Sequence, residues 1–311
     1  MPVLDQESTL ATDLARPPST DTAPVVRVRA LRKSFKKREV LCGIDWDVPA
    51  GRVIGLLGRN GAGKTTLLRC LLGLSPIDGG NVELFGEPMT EPGGERMHRI
   101  GFVPQTFDLF PWMKVRAYLD FTAAFYANWN HALTDRLLAD WQLDPKQKIG
   151  ELSQGQRQKL AIVRAIAPEP DLLVLDEPVA SLDPQARRAF MGELLELMRQ
   201  PGKTVIFSTH ITADLERAEA DITLLRDGAI QFTRPLAELR QRMRRVVLSR
   251  PGGWTEAPVV AGLLKATVKG GEAQLLVEDP SVESLHALAE REGAELRIET
   301  PTLEDLFVEL A

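Results

Sequence analysis

Apolar and polar positions alternate from Val25 onward through VVRVRAL, the period-two pattern of a strand buried on one face. After a turn-like KSFKKRE the alternation resumes in VLCGIDWDV. Three short runs, RVIGLLG, DLLVLDEP and KTVIFST, are instead apolar almost throughout. Separated by helix-like stretches, such runs predict strands buried on both faces of a mostly parallel sheet with helices packed over it. The helix-like stretches are KTTLLRCLLGL, the span from Phe107 to about Ile166, QARRAFMGELLELMRQ and ITADLERAEA. IDGGNVELFGEPM and DITLLRDGAIQF read as strand pairs around glycine turns. Within the helical span Tyr118, Phe121, Phe125 and Trp129 recur at helical spacing and predict one apolar stripe.

Residues 1–24 lack this patterning, and their Pro, Ser, Thr and Asp content reads as a solvated, disordered tail. The character changes again after about Arg240, where LRQRMRR leads through VVLSR to a Pro-Gly-Gly stretch. Beyond it, residues 241–311 predict a small accessory α+β unit, with a helix capped by Ser281 and ended by Gly293. The main unit is therefore expected over 25–240, with its helical part at about 107–166.

A net charge of −5 argues against a nucleic-acid partner, which usually meets a basic excess. Cys42 and Cys70 are the only cysteines, so neither a disulfide framework nor a zinc site is expected. His98, His131, His210 and His286 show no metal-ligand spacing. No run approaches the roughly eighteen apolar residues of a spanning helix, and no basic-then-apolar leader begins the chain. A cytoplasmic location is the expectation.

The strongest local signal is Gly58-Arg59-Asn60-Gly61-Ala62-Gly63-Lys64-Thr65, which lies between a strand and a helix and fits G-x-x-x-x-G-K-[ST]. Glycines let the backbone wrap a phosphate, so that the N–H groups around Asn60, Gly61, Ala62 and Gly63 converge on the anion. Lys64 is expected on the β- and γ-phosphates, Thr65 on Mg2+, and Thr66 on the α/β-phosphates. Asp176 and Glu177 follow LLVL at a strand's C-terminal end, where α/β sheets gather ligands. Asp176 suits a Mg2+ ligand, and Glu177 suits the base that orients and deprotonates water.

Leu152-Ser153-Gln154-Gly155-Gln156 resembles the LSGGQ signature of the ABC ATPase family, and it sits where that family places it. Further elements follow the same resemblance. Gln105 in GFVPQ is similar to the Q-loop, Ser181-Leu182-Asp183 to the D-loop, and His210 in FSTH to the H-loop. Phe35 stands where the family carries its adenine-stacking aromatic. Gln154 departs from the usual glycine, Val179-Ala180-Ser181 from Thr-Ser-Gly, and Phe35 from the commoner tyrosine. The resemblance covers about Val25 to Phe232 and implies a P-loop NTPase of ABC type. That fold has a mostly parallel core sheet, an antiparallel β subdomain and a helical signature subdomain.

It implies ATP as substrate and Mg2+ held by Thr65, Gln105 and Asp176, with Glu177, His210, Gln105 and Lys64 as the catalytic set. It further implies that Ser153, Gly155, Gln156 and Asp183 serve ATP held between two such domains, in a homodimer or with a paralogous ATPase subunit. The stretch after Gln105, with Phe107, Phe110, Pro111 and Trp112 nearest the junction, would receive a separate integral membrane permease subunit. The chain would then lie peripherally on the cytoplasmic face of the cell membrane. PTLEDLFVEL is similar to the end of ATPase subunits of two-component antibiotic-resistance exporters, which favours export. A soluble ABC ATPase acting on ribosome or chromosome stays open as an alternative.

Overall fold

The computed structural model describes residues 23–36, 38–89, 93–106, 109–179, 182–198, 200–209 and 212–310. The expected tail up to residue 22, Phe107, Ser181 and His210 lie outside the described residues. In chain order come β1 (Val26–Phe35), β2 (Arg38–Val48), β3 (Val53–Leu57), α1 (Lys64–Leu71), β4 (Gly79–Leu84), β5 (Glu87–Pro88) and β6 (Ile100–Val103). Helices α2 (Val115–Ala123), α3 (His131–Asp140) and α4 (Gln154–Ile166) precede β7 (Leu172–Asp176) and α5 (Pro184–Met198). Next are β8 (Thr204–Ser208), α6 (Thr212–Arg217), β9 (Asp221–Arg226), β10 (Ala229–Pro235) and α7 (Leu236–Arg242). β11 (Met243–Ser249), β12 (Leu263–Lys269), β13 (Glu272–Glu278), α8 (Val282–Glu292), β14 (Glu295–Glu299) and α9 (Leu303–Leu310) complete the described chain.

The continuous apolar runs form the central sheet, in the order β10-β9-β3-β8-β7-β6, parallel except for β10. Every residue of β7 is buried, as a strand covered on both faces must be. Successive side chains leave such a strand on opposite faces, and two cores result. Leu172 and Val174 join α1 and the antiparallel sheet β2-β1-β4-β5. Leu173 and Leu175 join the helices on the other face.

Two expectations need correction. The segment read as a turn from Lys33 is strand as far as Phe35, and β2 starts at Arg38, because the antiparallel pairing with β2 runs to the Phe35–Arg38 pair. The helix predicted through Trp129 ends at Ala123, so the four aromatics are no single helical stripe. Tyr118 is buried, whereas Phe121 and Phe125 are exposed, their rings 5.2 Å apart. The last turn carries on to the cap at Ala124, whose N–H donates to the Asp120 carbonyl, so Phe125 still meets Phe121, whereas Trp129 lies beyond the helix.

The third sheet, β12-β13-β11-β14, is antiparallel and starts at Met243. One face, with Val246, Leu275 and Val277, is covered by α8 and Trp254. α8 carries the expected caps: Ser281 accepts the Ser284 N–H, and Gly293 ends the helix at φ 60°. Met243 and Leu276 instead join Leu303 and Leu306 of α9 in the central core. α9 packs against α6, so the accessory sheet and the central sheet share apolar contacts.

Candidate active site

The central strands aim their C-terminal ends at one edge, where α/β sheets collect ligands. β3 runs there into the glycine loop and α1. Gly58 is buried, and a Cβ on it would lie 2.5 Å from the Leu225 carbonyl oxygen, so the loop passes where only glycine fits. Gly63 caps α1 at φ 105°, with no side-chain cap and no acidic residue in the first turn. The opening N–H groups of α1, at Lys64, Thr65 and Thr66, thus present a partial positive charge to an anion. Beside the loop is a cavity of about 560 Å3 walled by Arg38, Val40, Arg59, Asn60, Ala62 and Asp227. That volume is in the range of small-molecule sites.

Lys64 is 6% exposed, and its Nζ donates to the carbonyl oxygens of Gly58 at 2.7 Å and Arg59 at 3.4 Å. Burial pushes its ammonium below the usual lysine value, while the charges of Glu177 and Asp176 pull the other way. Both acidic residues therefore act on the lysine.

Asp176 ends β7 and is 1% exposed. Its Oδ1 accepts the Ser208 hydroxyl at 2.6 Å. The same Ser208 Oγ accepts the Glu177 N–H at 3.0 Å, so one hydroxyl fixes the two acidic residues relative to each other. Glu177 stands at φ 50°, a left-handed conformation that costs a non-glycine residue about 1–3 kcal/mol and clusters at functional sites. The Gln105 side-chain amide approaches Glu177 Oε2 at 3.5 Å. Among the described residues no hydrogen bond reaches the other carboxylate oxygen, Asp176 Oδ2. A buried carboxylate with one oxygen still open fits a hard cation such as Mg2+. Thr65 and Gln105 would complete the protein ligands.

The start of α4 is fixed by reciprocal bonds. Ser153 Oγ accepts the Gln156 N–H, and Gln156 Oε1 accepts the Ser153 N–H at 2.9 Å. This capping box leaves the N–H groups of Gln154 and Gly155 at the open helix end. Gln154 has no positive φ, so the departure from glycine brings no backbone strain here. Asp183 caps α5, its Oδ1 accepting the Gln185 and Ala186 N–H groups at 2.9 Å. The Ala186 N–H foremost holds the carboxyl below the usual carboxylate range.

The chain matches the ABC transporter family model over residues 41–180. It is 36% identical over 292 residues to a Nod factor export ATP-binding protein I from Burkholderia lata, an alignment spanning 91% of this chain and 95% of that one. The chain belongs to the ABC transporter ATP-binding family. A second relative of the same name, from Burkholderia pseudomallei, is 34% identical over 90% of this chain and 94% of its own length. The solved ATP-binding subunit of an ABC transporter superposes with a TM-score of 0.63 at 27% identity, covering 70% of this chain and 92% of that chain. A dimeric ATP-binding cassette in a post-hydrolysis state with ADP and Pi gives 0.61 at 25% identity, covering 68% and 98%. The chain is accordingly an ABC-type ATPase subunit that binds ATP, with the mostly parallel core expected of that fold.

Lys64, Asp176, Glu177 and Gln105 come together around the loop carrying Gly58 to Thr66. Phe35, at the end of β1, does not line the cavity beside the loop and is 52% exposed. Among the described residues no hydrogen bond or ion pair joins Ser153, Gly155, Gln156 or Asp183 to the loop. Ser208 was missed, although it stands in the same FSTH run as His210.

An aromatic groove of about 390 Å3 opens between Met97, Phe102, Phe110, Phe121, Phe125 and Arg164. Phe110 stacks on Trp112 at 5.3 Å, and Trp112 is 71% exposed. The Arg164 guanidinium donates to Tyr118 Oη at 3.0 Å and the Phe102 carbonyl at 3.2 Å, with no carboxylate paired to it among the described residues.

Proposed function

We propose that this chain is the ATP-hydrolysing subunit of a membrane exporter, working as a homodimer or beside a paralogous subunit. The observation that carries the reading is the Ser208 clamp, which holds Asp176 and Glu177 together beside the Lys64 loop. The loop N–H groups of Asn60 to Gly63, with Lys64, Thr65 and Thr66, hold the phosphates and neutralise charge that grows during transfer. Mg2+, held by Asp176, Thr65 and Gln105, would supply further charge neutralisation at the phosphates. Glu177 accepts the proton of the attacking water, Gln105 orients that water, and His210 steadies it. Phe35 stacks on the adenine.

The open helix end at Gln154 and Gly155, framed by Ser153 and Gln156, is suited to the γ-phosphate of ATP bound on a second subunit. Asp183 would act across the same contact. Residues 25–240 constitute the ATP-binding unit, and 241–311 an accessory unit. The aromatic groove suits a short helix of an integral membrane permease, with a carboxylate for Arg164. Such docking would hold the chain at the cytoplasmic face of the membrane. Export is supported by the relatives named for Nod factor export.

The test is Glu177→Gln. Titration should show ATP affinity close to that of the parent chain, while turnover falls about 100-fold or more, the scale of a lost general base. Parent-level turnover would refute the assignment of the base.

A further inference from the structure

Strand β1 turns Val26, Val28 and Leu31 into the core, and Lys33 continues that inner row. Its side chain is 9% exposed, and an ammonium so buried requires compensation. Two groups supply it. Asp78 Oδ1 lies 3.2 Å from Nζ, and the Phe35 ring centroid lies 5.3 Å from it. Asp78 is itself pinned: its Oδ2 accepts the Ser34 N–H at 2.6 Å, and its own N–H donates to the Arg32 carbonyl at 2.9 Å. The Ser34 N–H, then Lys33, hold the Asp78 carboxyl below the usual carboxylate range. The ammonium is thus fixed against one side of a ring that is 52% exposed, which leaves the other face to solvent.

We infer that Lys33 is a positioning residue for the nucleotide base: held by Asp78, its ammonium seats the Phe35 ring and polarises it, so that the open face favours an electron-rich purine. A cation on one face of an aromatic ring draws π-density toward itself and leaves the opposite face poorer in electrons. The ring also gains a fixed orientation, so less side-chain freedom is lost when a base stacks on it. The inference rests on reading Phe35 as the base-stacking residue and goes beyond it.

The experiment is a double-mutant cycle on the full chain, with KM for ATP and kcat read for each variant. Lys33→Met should raise KM about three- to tenfold, the scale of a cation–π contact on a half-exposed ring, with kcat unchanged. Lys33→Arg should restore KM, whereas loss of mere packing would not be rescued by charge. Asp78→Asn, which leaves the ammonium in place but unpinned, should give the same split if Lys33→Met fails to fold. In a Phe35→Ala background, Lys33→Met should add nothing further. Should it add its whole effect there, or lower kcat at constant KM, the positioning role is wrong. Should Phe35→Ala alone leave KM unchanged, the stacking reading falls and takes this one with it.

Discussion

An added methyl at Gly58 meets a backbone oxygen that no rotamer change can move aside. Gly58→Ala should therefore push the loop off β9, cost about 1–3 kcal/mol, and weaken ATP binding in a calorimetric titration. Gly192 is the internal control. It lies exposed on α5, where a Cβ would meet nothing within 4 Å, so Gly192→Ala should stabilise the fold by about 0.5–1 kcal/mol and leave ATP affinity alone. The glycine loop could be read from sequence because its chemistry is local, with strand, turn and helix contiguous in the chain. Ser208 could not. It reaches Asp176 only because β7 and β8 pair in the register that sets Asp176 opposite Ser208, a fact of long-range pairing. Lys33 likewise reads as a surface charge until the α1–β4 connection brings Asp78 over it.

Helix α6 is held from several sides, and the ties follow from its few residues. Leu215 packs on β3 so closely that a Cβ at Gly55 would lie 2.1 Å from its Cδ2. Asp214, 1% exposed, accepts Arg187 Nε at 2.8 Å and 3.0 Å, which ties α6 to α5. Arg240 of α7 reaches Glu216 at 3.0 Å. Removing one member of a buried pair strands the other, so Asp214→Asn should destabilise the chain by about 3 kcal/mol in thermal unfolding. Because α6 begins two residues after His210 and α5 one residue after Asp183, ATP turnover should fall in the same variant. At this scale the strands were legible, since burial on both faces writes itself as an apolar run. The end of α2 was not, because the helical spacing of the aromatics runs on to Trp129 although the helix ends at Ala123.

On the whole molecule, the groove beside Phe110 and Trp112 is where a partner's helix would add to the structure without touching the phosphate loop. Trp112→Ala should leave ATPase activity of the isolated chain unchanged. It should weaken co-purification of the membrane subunit by about 30-fold, as expected of a central aromatic anchor. Equal recovery of the subunit would remove the groove from the interface. The accessory sheet was legible as α+β from its cap residues and strand pattern. Its contribution to the central core was not, because no local pattern says which sheet Leu303 and Leu306 will cover. That shared core bears on the order of events during synthesis. Domains generally fold as units while the ribosome is still translating. Here the layer over Leu276 and Met243 is missing a helix until residues 303–310 have been made and have cleared the exit tunnel. The nascent ATPase would thus carry an incomplete apolar face until the very end of its translation, which makes it a natural client for chaperones that bind emerging chains.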